Sequence, residues 1–198
     1  MLREGHLVML HGSLLSGAVA MLLLSGAAWA DTLADVAGRY AIAPSSAISF
    51  SVGQVGGGGI SGKFPKFSGT IELDPGNIGR SRVTFTLAPG SVTTGEARVE
   101  KFLRSDAVFD AAAYPSITFR SIRVTQLDSS TAAIDGILAA RGKSRQERFT
   151  ATLVKYDGRN VTFHVVGDVL RSPYGMDVGT PIYSNVVKFD MIVQGRKF

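Results

Sequence analysis

From Tyr40 to the C-terminus, apolar positions recur most often with a spacing of two. Ile48, Phe50 and Val52 alternate with Ser49 and Ser51, and Ile71 and Leu73 with Thr70 and Glu72. Val83, Phe85 and Leu87 alternate with Arg82, Thr84 and Thr86. Val161, Phe163 and Val165 flank Thr162 and His164, and Val187, Phe189, Met191 and Val193 enclose Lys188 and Asp190. Successive side chains of a strand point to opposite faces, so each run predicts a strand with one apolar and one mostly polar face. Ile117 and Phe119 keep one parity while Ile122 and Val124 keep the other, which predicts a bulge or bend near Ser121. The segments Ile134 to Ala140 and Arg148 to Tyr156 read as consecutive strands, turned by Arg141-Gly142-Lys143-Ser144. Asp157-Gly158-Arg159-Asn160 is a hairpin signal and Asp74-Pro75-Gly76-Asn77 another turn. One segment breaks the period. Glu96 to Ser105 places Val99, Phe102 and Leu103 at helical spacing, with acid early and Arg104 late, as the helix dipole favours.

The pattern sums to about eight strands and one short amphipathic helix, with short connections that favour antiparallel neighbours. Such a set packs as a sandwich or closes into a barrel. A closed barrel of about eight strands has room for one small ligand. Phe50, Phe85, Phe119, Phe163 and Phe189 all fall on the inward parity of their strands. A filled core and a hollow one both fit that stripe.

Composition alters this picture mainly at the N-terminus. Ser13 to Gly26 is a short apolar stretch, and Ala28-Trp29-Ala30 after it fits a small-residue cleavage site. The stretch falls short of the roughly 20 residues that span a bilayer. We therefore expect residues 1–30 to be a signal peptide cleaved after Ala30, residues 31–198 to be one domain, and the mature protein to be periplasmic. The chain has 198 residues, a net charge of +5 and no cysteine. Absence of Cys excludes a disulfide framework, a thiolate zinc site, a Cys nucleophile and an acylated N-terminal Cys.

The side-chain inventory is poor in chemistry. Of the three histidines, His6 and His11 lie in the leader, leaving His164, which sits on the polar face of a strand. A Ser–His–Asp arrangement would have to use it, and no G-x-S-x-G elbow occurs. One His without Cys does not build a zinc site. The run Gly56-Gly57-Gly58-Gly59 lacks the strand–helix context of a phosphate loop and reads as a hairpin loop or barrel corner. Basic residues are dispersed, with a minor cluster at Arg141, Lys143, Arg145 and Arg148. We expect no catalytic residue, no metal, no required cofactor and no nucleic-acid partner.

Two blocks carry a family resemblance. Ile60-Ser-Gly62-Lys-Phe64-Pro-Lys-Phe67-Ser-Gly69-Thr-Ile71-Glu-Leu73-Asp74 contains G-x-F-x-x-F-x-G, and Tyr114-Pro115-Ser116-Ile117-Thr118-Phe119 contains Y-P-x-I-x-F. With Ser91 to Gly95, Phe102 to Ser105, Phe109-Asp110, Gly136 to Leu138, Arg171 and Tyr174-Gly175-Met176, the chain resembles the YceI-like family from about Gly38 onward. The resemblance implies an all-β, antiparallel, eight-stranded lipocalin-like barrel with the helix covering an end. It also implies an exported protein that sequesters or carries a polyisoprenoid, quinone or similar lipid. The implied apolar pocket is Phe50, Phe64, Phe85, Phe102, Phe109, Phe119, Phe163, Met176 and Phe189, with a head group at the mouth near Lys63 or the helix. A quinone ligand would bring a membrane redox partner, and a two-fold homodimer is the default assembly. A barrel without ligand, serving as a structural or interaction module, is the remaining alternative. Family members often carry a basic or His residue where this chain has Gly53-Gln54, and an Arg-Asp pair where it has Val99-Glu100.

Overall fold

A computed structural model describes residues 31–74 and 76–198. The segment read as a leader lies outside these residues. Ten strand segments follow one another as β1 (Gly38–Ile42), β2 (Ala47–Gly53), β3 (Gly59–Lys63), β4 (Phe67–Leu73), β5 (Arg82–Leu87), β6 (Ile117–Gln126), β7 (Thr131–Ala140), β8 (Lys143–Tyr156), β9 (Asn160–Leu170) and β10 (Val186–Lys197). A single helix, α1 (Ala97–Arg104), stands between β5 and β6.

The segments form an eight-stranded barrel because two of its strands are broken. β1 and β2 lie along the same edge of β10: Tyr40 to Ile42 pair with Lys197 to Gly195, and Ala47 to Ser51 with Ile192 to Lys188. Buried Ser46 holds the break between them. Its hydroxyl donates to the Ala43 carbonyl (2.8 Å) and accepts from the Gln194 amide (2.9 Å). β3 and β4 are likewise one strand interrupted at Pro65, which has no N–H for a ladder. β3 pairs with β2 and β4 with β1, and from β4 through β10 each strand pairs antiparallel with the next. The sheet thus closes on itself and leaves almost no free edge.

The turns expected at 141–144 and 157–160 form, with adjustments, while Pro75 of the turn expected at 74–77 lies outside the described residues. Arg141 (φ 48°) and Gly142 (φ 68°) alone make the β7–β8 turn, because two positive φ values match the twist of a two-residue hairpin. Lys143 and Ser144 already belong to β8, so both strands are longer than their apolar cores indicate. At Asp157 to Asn160 the Asp157 carboxylate accepts from the backbone amides of Arg159 (3.0 Å) and Asn160 (2.7 Å). The ladder slips between Ser121 and Arg123, as parity requires. Only Val124 rejoins the inner face, however. Ile122 is the extra residue and remains 58% exposed.

The barrel's two ends differ. At one end the connections are short, and the segment from Asp31 crosses the opening. The Leu33 amide donates to the Ser129 carbonyl (2.8 Å), Asp31 accepts from the Tyr156 amide (3.1 Å), and Leu33 and Val36 are buried. At the other end lie the β2–β3 loop, the long excursion 88–116 with α1, the β7–β8 turn and the segment 171–185.

Candidate ligand cavity

The barrel encloses a cavity of about 530 Å³ whose wall is almost wholly hydrocarbon. All nine side chains named from the sequence — Phe50, Phe64, Phe85, Phe102, Phe109, Phe119, Phe163, Met176 and Phe189 — lie on its wall. Phe50 and Phe64 pack 5.1 Å apart, and Phe109, from the segment after α1, meets Phe64 edge-on at 5.7 Å. Met176 comes from the segment between β9 and β10.

Nine of the eleven phenylalanines line the cavity, and they would fill it if their rings pointed at the axis. Glycines on the inner face let several lie against the wall instead. Gly62 pairs directly with Phe50. A Cβ on Gly62 would come within 2.9 Å of the Phe50 ring, and one on Gly136 within 2.3 Å of Phe119. One on Gly167 would come within 2.4 Å of Phe149. The missing side chains are the space the rings occupy, and the lumen stays open. Phe149 itself was not singled out from the sequence. It meets Phe119 at 5.2 Å and Phe189 at 6.0 Å, both edge-on, and lines the cavity with Ala132, Ala140 and Ala151. Its strand runs Phe149, Ala151, Leu153 on one parity, and that pattern is the signal that marks it.

The buried polar side chains of the wall, Arg171, Tyr174 and Ser81, are already bonded within the protein. Arg171 is buried and all three of its nitrogens are satisfied within the segment it anchors. Nε donates to the Ser184 carbonyl (2.9 Å) and Nη1 to the carbonyls of Met176 and Val178 (the latter 2.9 Å). Nη2 donates to Thr180 Oγ1 (2.9 Å) and the Tyr183 carbonyl (3.2 Å). Burial pushes the Arg171 pKa down, with the Asp177 charge opposing. The Tyr174 hydroxyl donates to Glu147 (2.8 Å); burial first, and then this bond, push its pKa up. Ser81 Oγ accepts from the Asp74 amide (3.1 Å). The cavity therefore offers a guest dispersion and burial rather than fixed polar partners.

The mouth can be located from exposure. Among the cavity-lining residues only Arg98, Phe102, Val178 and Gly179 are exposed. The first two are on α1 and the others on segment 171–185, so the cavity opens between these two elements. Phe102, 44% exposed, stands at the rim, while Val99 and Leu103 face inward. Arginines tie the rim to the barrel. Arg141 Nη1 donates to the carbonyls of Val108 and Gly175 (2.8 Å each). Arg104 donates to the Val92 carbonyl (2.8 Å) and pairs with Glu100 (3.0 Å). Glu100 also accepts from Thr93 and Thr94, and these hydrogen bonds, with Arg104, hold its carboxyl below the usual range. Lys63 is not at this mouth. It lies on the outer face of β3 in a groove with Ser49, Ser61 and Lys188.

His164 also points outward, with Nε2 2.8 Å from Asp190 Oδ1 on the exposed surface. Among the described residues no three His, Cys, Asp or Glu side chains gather as a metal site.

A family profile described as a YceI-like domain matches residues 40–194. A UPF0312 protein of Vibrio parahaemolyticus is 31% identical over 185 residues, covering 91% of this chain and 94% of the relative. Another, from Shewanella denitrificans, is 28% identical over 90% of this chain and 93% of its own. Among solved structures, Burkholderia cenocepacia BcnA superimposes with a TM-score of 0.72 at 23% identity, over 77% of this chain and 98% of that one. A polyisoprenoid-binding domain from Saccharophagus degradans superimposes with a TM-score of 0.66 at 14% identity, over 82% and 100%. At these identities the superpositions show a shared fold.

Proposed function

Because this chain belongs to the YceI-like family, we propose that its barrel is a non-catalytic binding protein for a long apolar lipid of the polyisoprenoid type, tail inward and polar end at the mouth. The observation that carries this reading is the cavity of about 530 Å³ with a hydrocarbon wall. Left dry, a void of that size would cost on the order of 10 kcal/mol at about 24 cal/mol per Å³, comparable with the stability of a whole domain. Water is a poor filling, since it needs two to four polar partners and the buried side chains Arg171, Tyr174 and Ser81 already have theirs. A polyprenyl tail removes that cost. Each five-carbon unit buried is worth about 4 kcal/mol at about 0.8 per carbon, against an association cost of order 4–15 kcal/mol. A few units therefore suffice for stable binding. The polyisoprenoid-binding domain of Saccharophagus degradans shares the fold and supports the choice of lipid class.

We also propose export to the periplasm, on the strength of Ala28-Trp29-Ala30. Cleavage after Ala30 would leave Asp31 and Leu33 free to close the far end of the barrel as described.

Organic extraction of the purified protein followed by mass spectrometry tests the binding. We expect a stoichiometric isoprenoid. A lipid-free extract, with no uptake of added polyprenol or quinone, would refute the reading. Phe163→Asp should abolish uptake. A variant that merely unfolds, in a protein that never bound lipid, would support a solid structural barrel instead.

A further inference from the structure

The rim of the mouth is apolar on its outside as well. Val55, at the tip of the β2–β3 loop, is 75% exposed, and Ile182 is 58% exposed. Neither lines the cavity. The two are held together, because the Val55 amide donates to the Ile182 carbonyl (2.9 Å) and Gln54 bridges Tyr183. Phe102 and Val178 add exposed apolar surface where the cavity opens. Three separate segments thus raise large apolar side chains around one opening, in water, at a cost that packing does not return.

The charge beside this patch has a sign. α1 carries Arg98, Lys101 and Arg104 against Glu100 alone. Glu100 is occupied by Arg104, which leaves Arg98 and Lys101 as exposed cations flanking Phe102. The exposed carboxylates nearby are Glu96, Asp106 and Asp177; against them stand buried Arg171, on which the Asp177 charge acts, and exposed Lys143, whose ammonium lies beside Gly175 on the facing segment, and the chain as a whole carries +5. An apolar tip flanked by cations suits the surface of an anionic bilayer, where apolar side chains enter the acyl boundary and cations meet head groups.

We propose that this rim docks on an anionic phospholipid surface, so that a lipid passes between bilayer and cavity without crossing water. The proposal rests on the lipid-binding reading and adds where and how the lipid is exchanged. In the docked state the mouth between α1 and segment 171–185 faces the bilayer, and the Leu33 plug faces away.

The test uses Val55→Ser with Ile182→Ser, and separately Lys101→Gln; none of the three lines the cavity. Sedimentation with phosphatidylcholine vesicles, with and without phosphatidylglycerol, reads docking. Uptake of a polyprenol delivered in a water-miscible solvent reads binding. We expect wild type to sediment with the anionic vesicles and the paired serine variant to lose at least about tenfold in partitioning. Lys101→Gln should lose about fivefold on anionic vesicles only. Uptake from solution should be unchanged in both variants. Docking is overturned if wild type takes up polyprenol from solution yet ignores vesicles, or if the rim variants sediment as wild type does. It is also overturned if the variants change the mass in solution instead, since the rim would then be a face between two copies. A wild type that takes up no polyprenol from solution brings down the lipid-binding reading and this proposal with it.

Discussion

Replacing Gly167 with alanine separates a hollow barrel from a filled one. A Cβ there would lie 2.4 Å from Phe149 Cδ1 and 2.8 Å from Cε1, while the nearest backbone atom, the Arg148 carbonyl oxygen, is 3.1 Å away. The ring has to move, and the only open direction is the lumen. Overpacking costs about 1–3 kcal/mol and replacing a strand glycine returns about 0.5–1, so the net loss should be about 0–2.5 kcal/mol. At about 2–4 °C per kcal/mol for a chain of this size, Tm should fall by no more than about 10 °C. The displaced ring then occupies space meant for a guest. Two to three methylenes excluded at about 0.8 kcal/mol each weaken binding by roughly 15- to 60-fold. Gly136→Ala is the control. Its Cβ would meet Phe119 at 2.3 Å and also the Arg120 carbonyl at 2.6 Å, which is backbone and has nowhere to go. That variant should lose more than about 3 kcal/mol. Thermal unfolding of delipidated protein and calorimetric titration with a polyprenol read both quantities. If Gly167→Ala is as damaging as Gly136→Ala and its folded fraction binds polyprenol normally, the ring does not border an open lumen and the reasoning fails.

Two smaller effects follow from the surface. The Asp157 carboxyl is lowered from 3.8 to about 2, first by the Asn160 side chain and then by the backbone amides of Asn160 and Arg159. A depressed carboxylate contributes stability that is present above 3.8 and lost as pH falls through about 2, so Tm should decline across that window and Asp157→Ala should flatten the decline. An unchanged slope would show that the turn does not hold its charge. His164→Ala should leave both Tm and polyprenol uptake as they are, because the ring reaches only exposed Asp190; lost uptake would assign it a part in function.

Much of the barrel was legible because a closed sheet repeats one simple constraint. Phe50, Phe85, Phe119, Phe163 and Phe189 had to share a face once their strands alternated, and the parity change after Phe119 had to be absorbed by a bulge. Parity says which side a ring is on, however, and not whether it stands up or lies down. That depends on the residue across the ladder. The glycines at 62, 136 and 167, each on the inner parity, were in the sequence all along, but their meaning appears only with the pairing that lays the ring of Phe50 over Gly62, Phe119 over Gly136 and Phe149 over Gly167. Leu33 was invisible for a different reason. It belongs to no periodic run, and its burial comes from a chain segment crossing the end of a barrel built from residues far along the sequence.

The position of the mouth follows from the same logic, carried to the connections. Three links at the plugged end are short: residues 74–81, 127–130 and 157–159. Two links at the opposite end, 88–116 and 171–185, are long enough to rise above the strands before returning. Raised segments cannot satisfy their carbonyls through the ladder, and here arginines do it: Arg171 for the carbonyls of Met176, Val178, Tyr183 and Ser184, Arg141 for Val108 and Gly175, Arg104 for Val92. Fixing the walls of the opening in this way keeps α1 apart from segment 171–185, and the gap between them is the mouth. Positive charge spent on carbonyls inside the rim stays out of the lumen. The lumen therefore remains a hydrocarbon surface, and the polar end of a guest finds its best surroundings outside, at the mouth beside Arg98.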